Sequence, residues 1–139
     1  MSVITRYVEL STRGDAQMLQ ITEFIAKAVA ESGLSDGTVT IFCPSATSAV
    51  TTIEYEDGCL SDFERLFDEL ADPARHYDHN ARWGDGNGHS HVRAALLGPS
   101  LTIPFINGIM TLGTWQEIMY VDFDNRSRQR RLVAQIMGE

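Results

Sequence analysis

The sequence predicts an α+β domain built on a mostly antiparallel, β-sandwich-like sheet with two to three helices. Three observations carry this. The elements read as strand, helix, two strands, helix, loop and four strands, without the regular strand-helix alternation of a doubly wound fold. Asn107-Gly108 stands between two apolar-rich runs, the signal of a tight antiparallel hairpin, because that pair supplies the positive φ angles of a type I′ turn. The chain has 139 residues, 43% hydrophobic and 22% charged, which fits a single domain over residues 1–139. A domain of that length buries roughly two-thirds of the surface its unfolded chain exposes, so no disulfide staple is needed.

Residues 2–10 alternate loosely through Val3, Ile4, Tyr7, Val8 and Leu10 and read as a strand. Gly14-Asp15 then opens the clearest helix, with Asp15 as its cap. Met18, Ile21, Ile25, Ala28 and Val29 form its apolar face, and Gly33 is its stop. The turn Asp36-Gly37 precedes a β-branched strand over 38–43 that ends at Pro44, and a second strand covers 50–55. Between them, Ser45-Ala46-Thr47-Ser48-Ala49 is either a plain loop or a stretch whose hydroxyls and backbone are free for a ligand.

Ser61-Asp62-Phe63-Glu64 has capping-box spacing. Phe63, Leu66, Phe67 and Leu70 give the helix behind it an apolar face before Pro73. Residues 74–88 read as a long polar loop of the kind that carries function, followed by a short helix over 90–97. The hairpin over 101–112 and strands over 115–123 and 131–137 complete the chain, the last two joined at Asp124-Asn125.

The net charge of −8 argues against nucleic acid, whose phosphates are met by excess Lys and Arg. Small molecules fit better. The only lysine is Lys27, while Arg126, Arg128, Arg130 and Arg131 form a basic patch near the C-terminus. Arg126, Arg128 and Arg130 have the spacing of one strand face and suit either phosphate or solvent. Cys43 and Cys59 imply no disulfide framework. No run approaches the roughly 20 apolar residues of a membrane span and no signal peptide is evident, so a cytoplasmic protein with free thiols is expected.

The segment from 79 to 91 holds three of the four histidines, Asp85, Asn87 and three glycines, with Asp78 just before it. On an extended segment, His89 and His91 point to the same side, and His79 approaches as the loop folds back. Three imidazoles with an open fourth position suit a divalent metal such as zinc. The bland alternatives are helix caps or contacts between subunits. Glu54, at a strand end, and Asp78 and Asp85 are candidate further ligands, general bases or partners that orient a histidine. Arg93 is a phosphate candidate. In Gly113-Thr114-Trp115-Gln116, Trp115 either stacks on a planar heterocycle whose edge Gln116 reads, or packs in the core.

Together these motifs resemble one family. The small-residue loop leading to Glu54, Tyr77 to His79, Ser90-His91-Val92-Arg93-Ala94, Leu97-Gly98-Pro99-Ser100, Ile103-Pro104, Leu112-Gly113-Thr114-Trp115-Gln116 and Asp122-Phe123-Asp124 run in the order of the YjbQ family over nearly the whole chain. The resemblance implies a β-sandwich-like α+β homotrimer with sites near subunit contacts. It also implies a secondary thiamine-phosphate synthase, joining aminopyrimidine diphosphate to thiazole phosphate with release of pyrophosphate.

On that basis Glu54, His79 and His91 are the expected catalytic residues, and His79, His89 and His91 the expected metal ligands. Ser45, Thr47, Asn87, Arg93, Thr114, Trp115 and Gln116 are expected to bind substrate. Family members commonly carry His-Thr-Ser/Thr-Ala where this chain has Ser45-Ala46-Thr47-Ser48, so Ser45 replaces a histidine and His89 is expected to compensate. The rival expectations are a metal-dependent hydrolase with Glu54 as base, and a non-catalytic trimer that binds a small metabolite.

Overall fold

The computed structural model describes all 139 residues as eight strands and four helices. A five-stranded sheet has the order β1 (Ser2–Thr12), β8 (Arg128–Gly138), β3 (Gly37–Phe42), β5 (Ser100–Ile106) and β6 (Ile109–Met110). A three-stranded sheet has the order β2 (Gln17–Gln20), β7 (Glu117–Asp122) and β4 (Ser48–Ile53). Every pairing is antiparallel, as expected of an α+β sandwich.

Alternation along the strands sorts the side chains into layers. Val39, Ile41, Leu132, Ala134 and Ile136 of the larger sheet meet Val50, Ile118 and Tyr120 of the smaller one in the main core. Helix α1 (Thr22–Ser32) adds Ile25, Ala28 and Val29 to that core. The other face of the smaller sheet, through Ala49 and Val121, packs with Phe67 of α2 (Asp57–Leu70) and Ala94 of α4 (Gly88–Leu97) in a second cluster with Phe123. The outer face of the larger sheet is left uncovered. Two apolar rows cross it, Tyr7–Val133–Phe42 and Val3–Met137, separated by Thr5–Gln135–Thr40.

Three local expectations are corrected. The helix does not begin at Asp15: Asp15 and Ala16 have φ of 53° and 62°, in the left-handed region, and Asp15 N–H donates to the Asp124 carbonyl. Such backbone cannot enter a helix, so residues 17–20 form β2 and α1 starts at Thr22, still ending at a left-handed Gly33. Helix α2 starts four residues before Ser61, capped by the Glu56 carboxylate, which accepts from the Gly58 and Cys59 N–H groups. The supposed loop contains α3 (Asp78–Trp83). Asn107 and Gly108 take the positive φ angles that the hairpin required.

Candidate functional site

Helix α3 ends at Gly84, and the chain turns back through Gly86 to begin α4. The two helices touch at Gly88, where a Cβ would stand 2.5 Å from Tyr77 Cβ. The Gly88 N–H donates to Asn80 Oδ1 at 2.8 Å. This closeness brings His79 and His91 together, with ring centroids 4.4 Å apart and planes tilted by 42°. Asp85 Oδ1 is 3.2 Å from His79 Nδ1, within ion-pair reach but outside hydrogen-bond alignment, so the ring nitrogen keeps no hydrogen bond within the protein. His91 also lines a cleft of about 310 Å³ with Ser45, Ala46, Ser48, Ala95 and Pro99.

His89 does not join them. It lies on the same helix as His91, and two residues of α-helix rotate a side chain by roughly 200°, so the two rings point to nearly opposite sides. The same-side expectation held only for extended backbone. His89 is buried against Tyr77, with its Nδ1 unpartnered and its Nε2 3.4 Å from Ser90 Oγ. Burial, assisted by the Arg93 charge, holds its pKa below the ordinary imidazole value. With His89 turned away, the three expected histidines do not converge within one chain, and no group of three or more His, Cys, Asp or Glu in it is arranged to hold a metal ion.

Other expected site residues serve the scaffold. Arg93 is 4% exposed, and its Nε and Nη2 donate to the Ala71 carbonyl at 3.1 and 2.9 Å, with Nη2 also on Asp68 Oδ1 at 3.1 Å. It ties α4 to α2 instead of facing phosphate. Asn87 is buried, and its Oδ1 accepts from the Asn125 N–H and the Ser90 hydroxyl. Thr47 is buried, donating to Asp124 Oδ2 at 2.9 Å and accepting from Arg130 Nη2 at 2.9 Å.

Glu54, Thr114, Trp115 and Gln116 are exposed at the far end of β4. Gln116 Nε2 donates to Thr52 Oγ1 at 3.0 Å, and Cys59 Sγ stands 3.7 Å from Glu54 Oε2. Ser48, beside His91, and Thr52, beside Gln116, are four residues apart on one strand, roughly 13 Å. Within one chain, the Gly-Thr-Trp-Gln element and the histidine pair therefore form two separate groups. Of the expected site residues, the cleft gathers Ser45 and His91, with His79 against His91.

Behind the cleft, Arg128 and Arg130, expected to face phosphate or solvent, are instead paired with buried aspartates. Arg130 Nε and Nη2 donate to the two Asp122 carboxylate oxygens at 2.8 and 3.0 Å. Arg128 Nε donates to Asp124 Oδ2 at 3.2 Å, and the Thr12 hydroxyl to Asp122 Oδ2 at 2.6 Å. Asp122 and Asp124 are buried. Burial pushes the Asp124 carboxyl up, but hydrogen bonds from Thr47, Arg128 and Asn87 outweigh it and hold its pKa below the carboxylate range. The signal for this network was present as Asp-x-Asp at the end of one strand and Arg-x-Arg at the start of the next.

Fold and site together define a two-sheet α+β protein with a paired-imidazole cleft backed by a buried ion network. Residues 6–139 match the sequence profile of the UPF0047 protein YjbQ-like family, and the chain belongs to that family. A UPF0047 protein of Methanothermobacter thermautotrophicus is 37% identical over 139 residues, covering 100% of this chain and 95% of its own. YugU of Bacillus subtilis is 30% identical over 132 residues, 94% of this chain and 97% of its own. A YbjQ-like protein of unknown function from Sulfolobus solfataricus superimposes with a TM-score of 0.89 at 28% identity, over 99% of this chain and 100% of the other. A Clostridium acetobutylicum member of the family superimposes with a TM-score of 0.87 at 35% identity, over 95% and 99%. No helix is long and apolar enough to cross a membrane.

Proposed function

We propose that the chain is a secondary thiamine-phosphate synthase acting on phosphorylated small molecules at the His79–His91 cleft. The observation that supports this best is the imidazole pair itself, adjoining a cleft otherwise walled by small residues, Ser45 among them. In this reaction the thiazole nitrogen attacks the aminopyrimidine methylene carbon, forming a C–N bond. The C–O bond to diphosphate breaks, and pyrophosphate leaves with the electron pair. His79 and His91 donate N–H groups to the departing oxygens, with the Asp85 carboxylate 3.2 Å from His79 Nδ1. Within one chain Glu54 stands at the far end of β4 and does not reach this step, which disfavours a hydrolase whose base is the same chain's Glu54.

The active form in this proposal is a homotrimer. Its support is the uncovered outer face of the five-stranded sheet, where Val3 and Tyr7 are 56% and 57% exposed and Phe42 and Met137 are each 42% exposed. A second copy is also what lets Trp115 and Gln116 contribute to a histidine cleft from which their own chain separates them. The two free cysteines suit a reducing cytoplasm.

The test supplies aminopyrimidine diphosphate and thiazole phosphate to purified protein and measures thiamine phosphate and pyrophosphate in equal amounts. Loss of an imidazole donor should lower turnover by roughly 10²-fold or more in His79→Asn and His91→Asn variants. Product no greater than in a protein-free control, or turnover unchanged in both variants, overturns the reading. Light scattering tests the trimer, which should give three times the chain mass.

A further inference from the structure

A second cavity of about 170 Å³ shares two lining residues, Ser45 and Ser48, with the His91 cleft. It is lined by buried Cys43, Ser48 and Tyr120 and by Arg130, and opens to the surface beside Gln129 and Arg131. Strand register explains the company. Ser48 pairs with Asp122 and Val50 with Tyr120, so Ser48, Tyr120 and Asp122 share one face of the smaller sheet.

Two of these lining groups lack partners. Ser48 and Tyr120 are 1% and 0% exposed and stand beside one another and Cys43, yet neither hydroxyl makes a well-aligned hydrogen bond within the protein. An unsatisfied buried hydroxyl is costly, so two of them facing one cavity beside an arginine need a reason. Arg130 spends Nε and Nη2 on Asp122 and Thr47 and leaves Nη1 unengaged. The available groups are therefore donors: a guanidinium N–H, an alcohol and a phenol.

The charge balance narrows the occupant. Arg128 and Arg130 are matched by Asp122 and Asp124, and Arg131, which also lines the cavity, is paired with Glu9, so the surroundings hold no net positive charge to offset a dianion. The other acidic groups stay neutral: burial pushes the Cys43 thiol up to about 12, and burial likewise raises the Tyr120 phenol. We infer that this cavity is a subsite for a compact oxyanion bearing no more than one negative charge, held by Arg130 Nη1, Ser48 Oγ and Tyr120 OH. The body of the same molecule occupies the His91 cleft. The inference rests on the reading of that cleft as a substrate site and adds that thiazole phosphate binds with its phosphate as the singly protonated monoanion, the diphosphate of the other substrate being too highly charged.

The experiment uses wild-type protein labelled with ¹³C at tyrosine Cζ and titrated, at constant ionic strength, with acetate, with inorganic phosphate at pH 6, or with sulfate as an obligate dianion. Four tyrosine signals are expected, and the one missing from Tyr120→Phe belongs to Tyr120. That signal should move saturably with acetate or phosphate, and sulfate should bind at least about tenfold more weakly; which monoanion binds tighter separates a carboxylate headgroup from a phosphate one. Tyr120→Phe and Ser48→Ala should keep or raise the melting temperature of the free protein, yet each should weaken ligand affinity about tenfold, the loss of one hydrogen bond to a charged group, and so need about tenfold more ligand for the same rise in melting temperature.

A Tyr120 signal that does not move with either monoanion overturns the inference, as does binding unchanged in both variants or sulfate binding as tightly as the monoanions. None of these readouts needs turnover. A His91→Asn variant that binds acetate or phosphate like the wild type, tested beside the synthase assay, separates failure of this subsite from failure of the proposed reaction.

Discussion

Arg130 grips Asp122 with two parallel hydrogen bonds, from Nε and Nη2, while the carboxylate is wholly buried and the guanidinium nearly so. Such a pair is strongly destabilising to break, because the survivor is left charged in a place that water does not reach. Asp122→Asn and Arg130→Met should each cost about 3–5 kcal/mol in urea unfolding. The double variant should lose less than the two single losses added together. Additive losses would show that the two groups do not act as a pair.

Two groups make stability fall with pH in two separate windows. Asp124 has a lowered pKa in the folded chain, so its contribution is present above the ordinary carboxylate range and is lost as pH falls through its folded value. His89 is also lowered, so the unfolded chain takes up its proton first, at about pH 6.5, and stability falls as pH drops from there towards the folded value. Melting temperature should therefore rise from pH 5 to pH 7. His89→Gln should flatten that rise while leaving the loss below about pH 4, and Asp124→Asn should do the reverse.

Arg93 offers a contrast between a buried cation and its exposed partner. Replacing Arg93 with Leu leaves the Ala71 carbonyl without its donors and should cost about 2–4 kcal/mol. Asp68→Asn should cost less than about 1 kcal/mol, since Asp68 is 62% exposed and the Ala71 bonds survive. Equal losses in denaturant titrations would contradict the assignment of Arg93 to the α2–α4 tie.

At Gly88 the test is one of space. A methyl group there meets Tyr77 and must push α3 away from α4, at a cost of about 1–3 kcal/mol. The separation should loosen the contact between His79 and His91, visible as a change in the NMR shifts of both rings. A variant as stable as the wild type with unchanged ring signals would show that the helices do not depend on this contact.

Thiol chemistry probes the inter-sheet space. Cys43 is 1% exposed and its thiol is raised to about 12, whereas Cys59 is half-buried. A maleimide at pH 7.5 should label Cys59 in the native protein and Cys43 only after unfolding. Mass spectrometry of the labelled peptides distinguishes them, and early labelling of Cys43 would mean that the cavity opens readily.

Strand and turn chemistry were legible because they are local: β-branched alternation marked β3, Asn107-Gly108 marked the hairpin, and Gly33 closed α1. The start of α1 was not, because Met18 falls on the helical spacing by coincidence while Asp15 and Ala16 bend the backbone left-handed under a tertiary bond to Asp124. The histidines show the same boundary. That His79 approaches His91 could be read from the loop, but the side on which His89 points depended on whether 88–91 was helical, and Gly88 gave no local sign of that. Arg93 and Thr47 looked like ligand groups because burial, which decides between ligand and scaffold, depends on residues distant in the chain.

The ion network has a consequence for the outside of the molecule. Its two arginines and two aspartates cancel within the interior, so the chain's excess of eight negative charges is carried entirely by the remaining residues, chiefly at the surface. Copies of the chain therefore repel one another at long range, even though the bare sheet face offers them apolar rows at contact. Added salt shortens that repulsion without weakening the apolar contact, so any association through this face should tighten as ionic strength rises.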